Sequence, residues 1–235
     1  MEEASSVSDR SEKDAPATPF PRLGAQPRQR MLEAMLVVSG ERGYEQVAVK
    51  HVIERAKSSR ATFYKNFEDR EDCFVQAHSD AAEWLYRRLT GAAGRQPSWR
   101  KGLRAALAEL LEFCANQPDI AKALIVEAHS AGPRAYAQRG ELLERLSQAL
   151  DNSRDEDSPR QAPPPVTASF IVGAIDTLLS AKLMDGDAAN APEMLPGLLY
   201  FVVLPYCGEA AAWEEMAAAP QAQWTARREA ASELP

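Results

Sequence analysis

The stretch VIERAKSSRATFYKNFEDREDCF, from Val52 to Phe74, decides how this chain folds. Val49, Val52, Ile53 and Ala56 fall at i, i+3, i+4 and i+7, a single apolar stripe that marks a short amphipathic helix. A further helix starts at Ser58 or Ser59, either of which can cap it, and places Phe63 and Phe67 four residues apart on one face. About four residues join the two, which is helix-turn-helix geometry. Packing the apolar stripe against Phe63 turns Ser59, Arg60, Thr62, Lys65 and Asn66 outward. Such a face offers donors and positive charge, as a helix inserted in a major groove requires.

Working outward, a preceding helix is predicted from Pro27 to Glu41, with Met31, Leu32, Met35 and Val38 on one face and Gly43 as its stop. Residues 1–27 are rich in Ser, Pro and acid and nearly devoid of apolar side chains, so a disordered tail is expected ahead of a helix-turn-helix unit at 28–68. Downstream, helical periodicity continues without any strand-like alternation. A long helix from about Asp69 to Leu89 buries Phe74, Ala77, Ala81 and Trp84 or Leu85, and a break is expected at Gly91 to Pro97. Helices from Ser98 to Asn116, from Pro118 through Leu124, and from Pro133 to about Leu150 follow, with an exposed acidic and proline-rich connector at Asp151 to Pro165. Two last helices, Phe170 to Met184 and Met194 to Met216, are apolar around much of their circumference. They suggest either an internal core or a self-complementary four-helix seam between two copies. The fold class is all-α: a three-helix N-terminal unit, a helical unit at 69–217, and a flexible tail at 218–235.

Charge is unevenly placed. The chain of 235 residues carries a net −7, yet Arg22 to Lys65 hold nine Lys and Arg against four acids, so a small basic module precedes a large acidic one. Cys73, Cys114 and Cys207 stand singly within apolar patterns and, with three histidines, offer no metal-ligand spacing. No G-x-S-x-G elbow, P-loop, H-E-x-x-H or G-x-G-x-x-G is present, so neither an enzyme nor a cofactor is expected. The longest apolar runs are shorter than a bilayer span and no secretory signal precedes them, which places the protein in the cytoplasm, away from membranes.

Gly43 and Tyr44, followed by the Val52 to Phe74 stretch, resemble the N-terminal signature of the TetR family of bacterial transcriptional regulators. SRATFYKNF, Ser59 to Phe67, is the most specific part, and LPYCGEA at Leu204 to Ala210 is similar to the last helix of many such regulators. The resemblance implies a double-stranded operator read by the third helix, with Thr62, Tyr64 and Lys65 on phosphates and Arg60 as base reader. An arginine can take guanine bidentately, worth roughly 1–3 kcal/mol of discrimination. Lys50 and His51 add phosphate contacts, Ser59 and Ala61 complete the DNA-facing set, and Arg28 and Arg30 reach towards the backbone or minor groove.

The family pattern also implies a small-molecule effector held among the middle helices, for which Trp84, Phe113, His129, Tyr136 and Phe170 are the candidate lining. The expected function is a ligand-responsive repressor that binds a palindromic operator as a homodimer, through helices at about 166–184 and 193–216. Two departures matter. Lys57 and Ser58 stand where the family has Gly-Val, so a left-handed Lys57 is expected to cost about 1–2 kcal/mol. Val47 and Ala48 replace the usual Ser or Thr, forfeiting a helix cap of ~1 kcal/mol. They keep open an alternative: a ligand-binding or interaction protein on the same scaffold whose DNA binding is weakened or lost.

Overall fold

The computed structural model describes residues 26–152 and 163–219, which form ten α-helices and three short 3-10 turns and contain no strand. The expected tails and most of the 151–165 connector lie outside the described residues. In chain order the helices are α1 (Pro27–Arg42), α2 (Val49–Arg55), α3 (Arg60–Asn66), α4 (Arg70–Gly94), α5 (Trp99–Asn116), α6 (Pro118–Ile125), α7 (Pro133–Asn152), α8 (Thr167–Met184), α9 (Leu195–Cys207) and α10 (Glu209–Ala218). The first three make a head and the rest a body.

Helix α1 belongs to both. Its buried set, Met31, Leu32, Ala34, Met35, Leu36 and Val38, is wider than one stripe because it meets α2 and α3 on one side and α4 and α6 on the other. The closest approach is at Gly40, where an added Cβ would lie 2.0 Å from the Asp119 carbonyl oxygen at the start of α6. Only a residue without a side chain lets the two backbones meet there.

Helix α4 runs past its expected end at Leu89 to Gly94, and the predicted break shortens to residues 95–98. Buried Ala92 explains this, since its packing outweighs the roughly 1 kcal/mol that Gly91 costs inside a helix. Helix α7 lies along α4 in the same direction, tied by Arg134 to Asp72 at 3.8 Å and by Arg145 to Glu83 at 2.9 Å. The apolar segment expected as one helix from Met194 to Met216 is instead α9 and α10, broken at Gly208, whose φ of 83° no ordinary L residue adopts readily. A 3-10 turn at Ala188–Met194 leads into it.

Helix α8 corrects a further expectation: its 18 residues, at about 27 Å, are long and apolar enough by length and composition to cross a membrane. It packs on α6 and α7 through Ala168, Ile171, Leu179 and Leu183, while Phe170, Leu178 and Met184 point outward. Cys73 and Cys114 sit in the core, where burial pushes both thiols up, Cys114 to about 12.

His78, fully buried in α4, donates from Nε2 to the Leu124 carbonyl of α6 at 3.1 Å, and its Nδ1 has no partner. Burial is the main reason its pKa falls to about 4; the backbone bond opposes this and Arg139 adds a small push downward. The folded state therefore binds fewer protons than the unfolded chain between about pH 6.5 and 4. Stability should fall by up to about 3 kcal/mol as pH drops through that window. Urea titrations of wild type and His78→Gln across it test this: the variant should show a flatter pH dependence, and parallel curves would refute the assignment.

Candidate nucleic-acid interface and an internal cavity

The turn between α2 and α3 closes as a Schellman motif: the Ser58 N–H donates to the Ile53 carbonyl and the Lys57 N–H to that of Glu54, at 2.9 and 3.2 Å. Lys57 takes the left-handed position with φ 48°, the one non-glycine residue with positive φ among the described residues. Arg30 reinforces the turn by donating from Nε to the Ala56 carbonyl at 3.1 Å. At the other end of α2, His51 Nδ1 accepts the Ala48 N–H at 3.1 Å, offsetting the missing hydroxyl cap. An acceptor at Nδ1 puts the proton of the neutral ring on Nε2.

Ser59 caps α3 by accepting the Thr62 N–H at 3.1 Å, and its hydroxyl meets that of Thr62 at 2.9 Å. Phe63 and Phe67 are buried with ring centroids 5.3 Å apart, each worth roughly 1.5–3 kcal/mol in burial. They anchor α3 and fix which face turns out. Ser59, Arg60, Ala61, Tyr64 and Lys65 are exposed together with Lys50, while His51 and Thr62 are half-buried. The Arg60 guanidinium lies 5.7 Å from the centre of the Tyr64 ring, a cation–π pair that orients both. All eight expected DNA-facing residues thus belong to α2 or α3 or to the Ser59 cap. Arg28 differs from Arg60: it is engaged with Gln76 of α4 and lies over Phe67, at 5.8 Å, so it holds α1 in place.

Three contacts centred on Tyr44 fasten head to body. The Tyr44 N–H donates to Glu127 Oε2 at 2.7 Å, the Tyr44 ring meets Phe74 edge-on at 4.8 Å, and Arg70 lies 4.3 Å over that ring while reaching the Val47 carbonyl. Burial pushes the Tyr44 phenol up, against the pull of Arg70. Glu127 lies directly beyond the end of α6, so α6 touches the head at both its ends, at Gly40 and through Glu127.

Within the body lies a cavity of about 450 Å³, walled by α4, α5, α7 and α8 with Leu124 and Ile125 of α6 and Val202 of α9. Its wall is aliphatic apart from Trp99, a few neutral polar groups and one charged pair, Arg139 and Asp176. Arg139 donates from Nε to the Ile125 carbonyl at 3.1 Å and from Nη2 to Asp176. Asp176 is pushed up by desolvation even against the attraction of Arg139.

None of the five residues expected to line a pocket lines this one. Trp84 and Phe113 pack against each other between α4 and α5, their rings tilted by 59° with centroids 5.4 Å apart. His129 and Tyr136 pair at the surface at 5.8 Å, and Phe170 is 77% exposed on the outer face of α8. Apart from Trp99, the large aromatic side chains here fill seams and outer faces, leaving the hollow mainly to aliphatic ones. A signal for Arg139 existed: it occupies a core register on α7 with Ala135, Leu142 and Leu146, where charge is uncommon.

A three-helix head whose recognition helix presents hydroxyl, phenol and cationic groups on a helical body is the architecture of a helix-turn-helix DNA-binding regulator. Residues 32–77, which run from α1 through the head into α4, match the model of bacterial regulatory proteins of the tetR family. The chain is 24% identical over 175 residues to the HTH-type transcriptional repressor KstR of Rhodococcus jostii (strain RHA1), across 73% of this chain and 82% of that one. The fold is that of FadR from Bacillus subtilis, solved in complex with stearoyl-CoA, at a TM-score of 0.65, 16% identity, and coverage of 76% of this chain and 97% of that one. It is also similar to SmeT, the repressor of the Stenotrophomonas maltophilia multidrug efflux pump SmeDEF, at a TM-score of 0.62 and 15% identity over 78% and 92% of the two chains.

The left-handed Lys57 predicts a stabilising substitution. Its side chain is exposed, so Lys57→Gly removes the strain without removing a core contact and should raise stability by about 1 kcal/mol. A higher urea midpoint at unchanged slope is the expected result; an unchanged or lower midpoint refutes it.

Proposed function

We propose that this protein is a ligand-responsive repressor that binds a palindromic operator as a homodimer. One observation carries the reading: α3 is anchored by buried Phe63 and Phe67 and presents Arg60, Tyr64 and Lys65 to solvent from one rigid turn. Arg60 reads a base edge, and Thr62, Tyr64, Lys65, Lys50 and the Nε2 side of His51 position the head on phosphates. Ser59 and Ala61 let the start of α3 approach the groove closely.

The outer faces of α8 to α10 support the dimer. Val166, Phe170, Leu178 and Met184, with Phe201 of α9 and Trp213 of α10, are large, apolar and exposed. Covering them with the same faces of a second copy buries them by an isologous contact and sets two reading heads about one turn of DNA apart. A ligand in the body then acts by favouring a spacing the operator does not fit, which requires only different affinities for the two arrangements. The similarity to KstR and SmeT, both repressors, supports repression over activation.

Duplexes selected from a random pool test this reading. Arg60→Ala should lose about 10–100-fold in affinity for the selected duplex while leaving random DNA little changed. Lys65→Ala should weaken both alike and lower the salt slope by about 1. A folded wild-type protein that selects no sequence and shows no salt-dependent binding points to the scaffold serving as a ligand-binding protein without an operator. Phe170→Glu should yield a monomer in sedimentation equilibrium and lose the selected palindrome; a dimer that persists overturns the proposed seam.

A further inference from the structure

Resting on the reading of the body as an effector domain, we propose that the cavity receives a neutral, elongated, largely hydrocarbon molecule whose terminal hydroxyl bridges Arg139 and Asp176. The shape follows from the wall. Arg139 and Leu150 are the first and last residues that α7 contributes to the wall, and the eleven-residue step between them is about 16 Å. Along that length the lining is mainly aliphatic, and the Thr90 hydroxyl is spent on the Tyr86 carbonyl at 2.8 Å. Gln96 and Ser98 add neutral polar groups from the α4–α5 connection.

The head group follows from the pair. Guanidinium carries five N–H donors, of which the Ile125 carbonyl and Asp176 take two, and the Asp176 carboxylate keeps lone pairs beyond the one Arg139 occupies. A hydroxyl accepts from the first and donates to the second at once. The two side chains are only 11% and 14% exposed and already balance in charge, so a carboxylate or ammonium on the ligand would bring an uncompensated third charge into a dry wall. The raised pKa of Asp176 agrees with that dryness. The placement also matters: the Ile125 carbonyl that Arg139 holds is two residues from Glu127, which grips the head at Tyr44. A head group drawing on Arg139 therefore acts beside the joint between body and head.

Calorimetric titration of the full-length protein with decan-1-ol, decyl methyl ether, decanoate and decylammonium tests the proposal. Decan-1-ol should bind at least about ten-fold tighter than the ether, which accepts but cannot donate, and tighter than either ion. Asp176→Asn leaves the Arg139 charge unmatched and should invert the order of alcohol and decanoate. The ether comparison needs no substitution and stands even if that variant does not fold. Leu107→Trp, which fills the hollow, should abolish binding of all four. Equal binding of alcohol and ether, an unchanged order in folded Asp176→Asn, binding that survives Leu107→Trp in a folded protein, or no binding of decan-1-ol at all overturns the proposal. Release of the selected duplex is read separately, so a protein that binds the alcohol but keeps its DNA counts against the regulatory reading and not against the anchor.

Discussion

The molecule turns on the place where Gly40 of α1 meets the Asp119 carbonyl of α6 with no side chain between them. Backbone against backbone leaves no soft rotamer to absorb a displacement, and closely packed interiors transmit strain. Helix α1 also supplies Arg30 to the α2–α3 turn and Arg28 to the face of Phe67, so the orientation of α3 is inherited from α1 and that of α1 from α6. At its other end α6 leads into Glu127 and the Tyr44 backbone. One eight-residue helix thus has both ends on the head and the carbonyls of its last residues on the body, through His78 and Arg139.

Three local rules are broken between the recognition helix and the cavity. Lys57 takes a left-handed backbone, His78 keeps a ring nitrogen buried without a partner, and Arg139 with Asp176 places a charged pair in an aliphatic wall. Each costs stability that an ordinary core position would not. Departures from local consistency tend to collect where a protein does its work, and two of these three, His78 and Arg139, meet the carbonyls of the last two residues of α6.

The head was almost wholly legible in the sequence, because its determinants are local: the stripe from Val49 to Ala56, the serine cap and the Phe63–Phe67 pair specify short helices and a tight turn within a few residues. The left-handed Lys57 was signalled only through the resemblance, by the glycine that the family carries where this chain has Lys57. The body was legible in its helices and not in its interior. The continuation of α4 through Gly91 depends on what Ala92 packs against, and the break at Gly208 is one glycine within an unbroken apolar run. The cavity was misread for a related reason: aromatic side chains seemed the natural wall of a pocket, whereas Trp84 pairs with Phe113, and Tyr136 and Phe170 face outward. Which helix faces converge is a property of tertiary arrangement, and periodicity along one helix does not contain it.

A hollow of about 450 Å³ between four helices forgoes a large number of van der Waals contacts that a filled core would make. Anything that occupies the space becomes part of the packing of α4, α5, α7 and α8. If an effector fills it as proposed, linkage makes the occupied chain the more stable one, and molecules that lack a guest open more often and are more readily degraded. Under the proposed reading, the compound that sets activity would also set abundance in a cell, through the volume it fills.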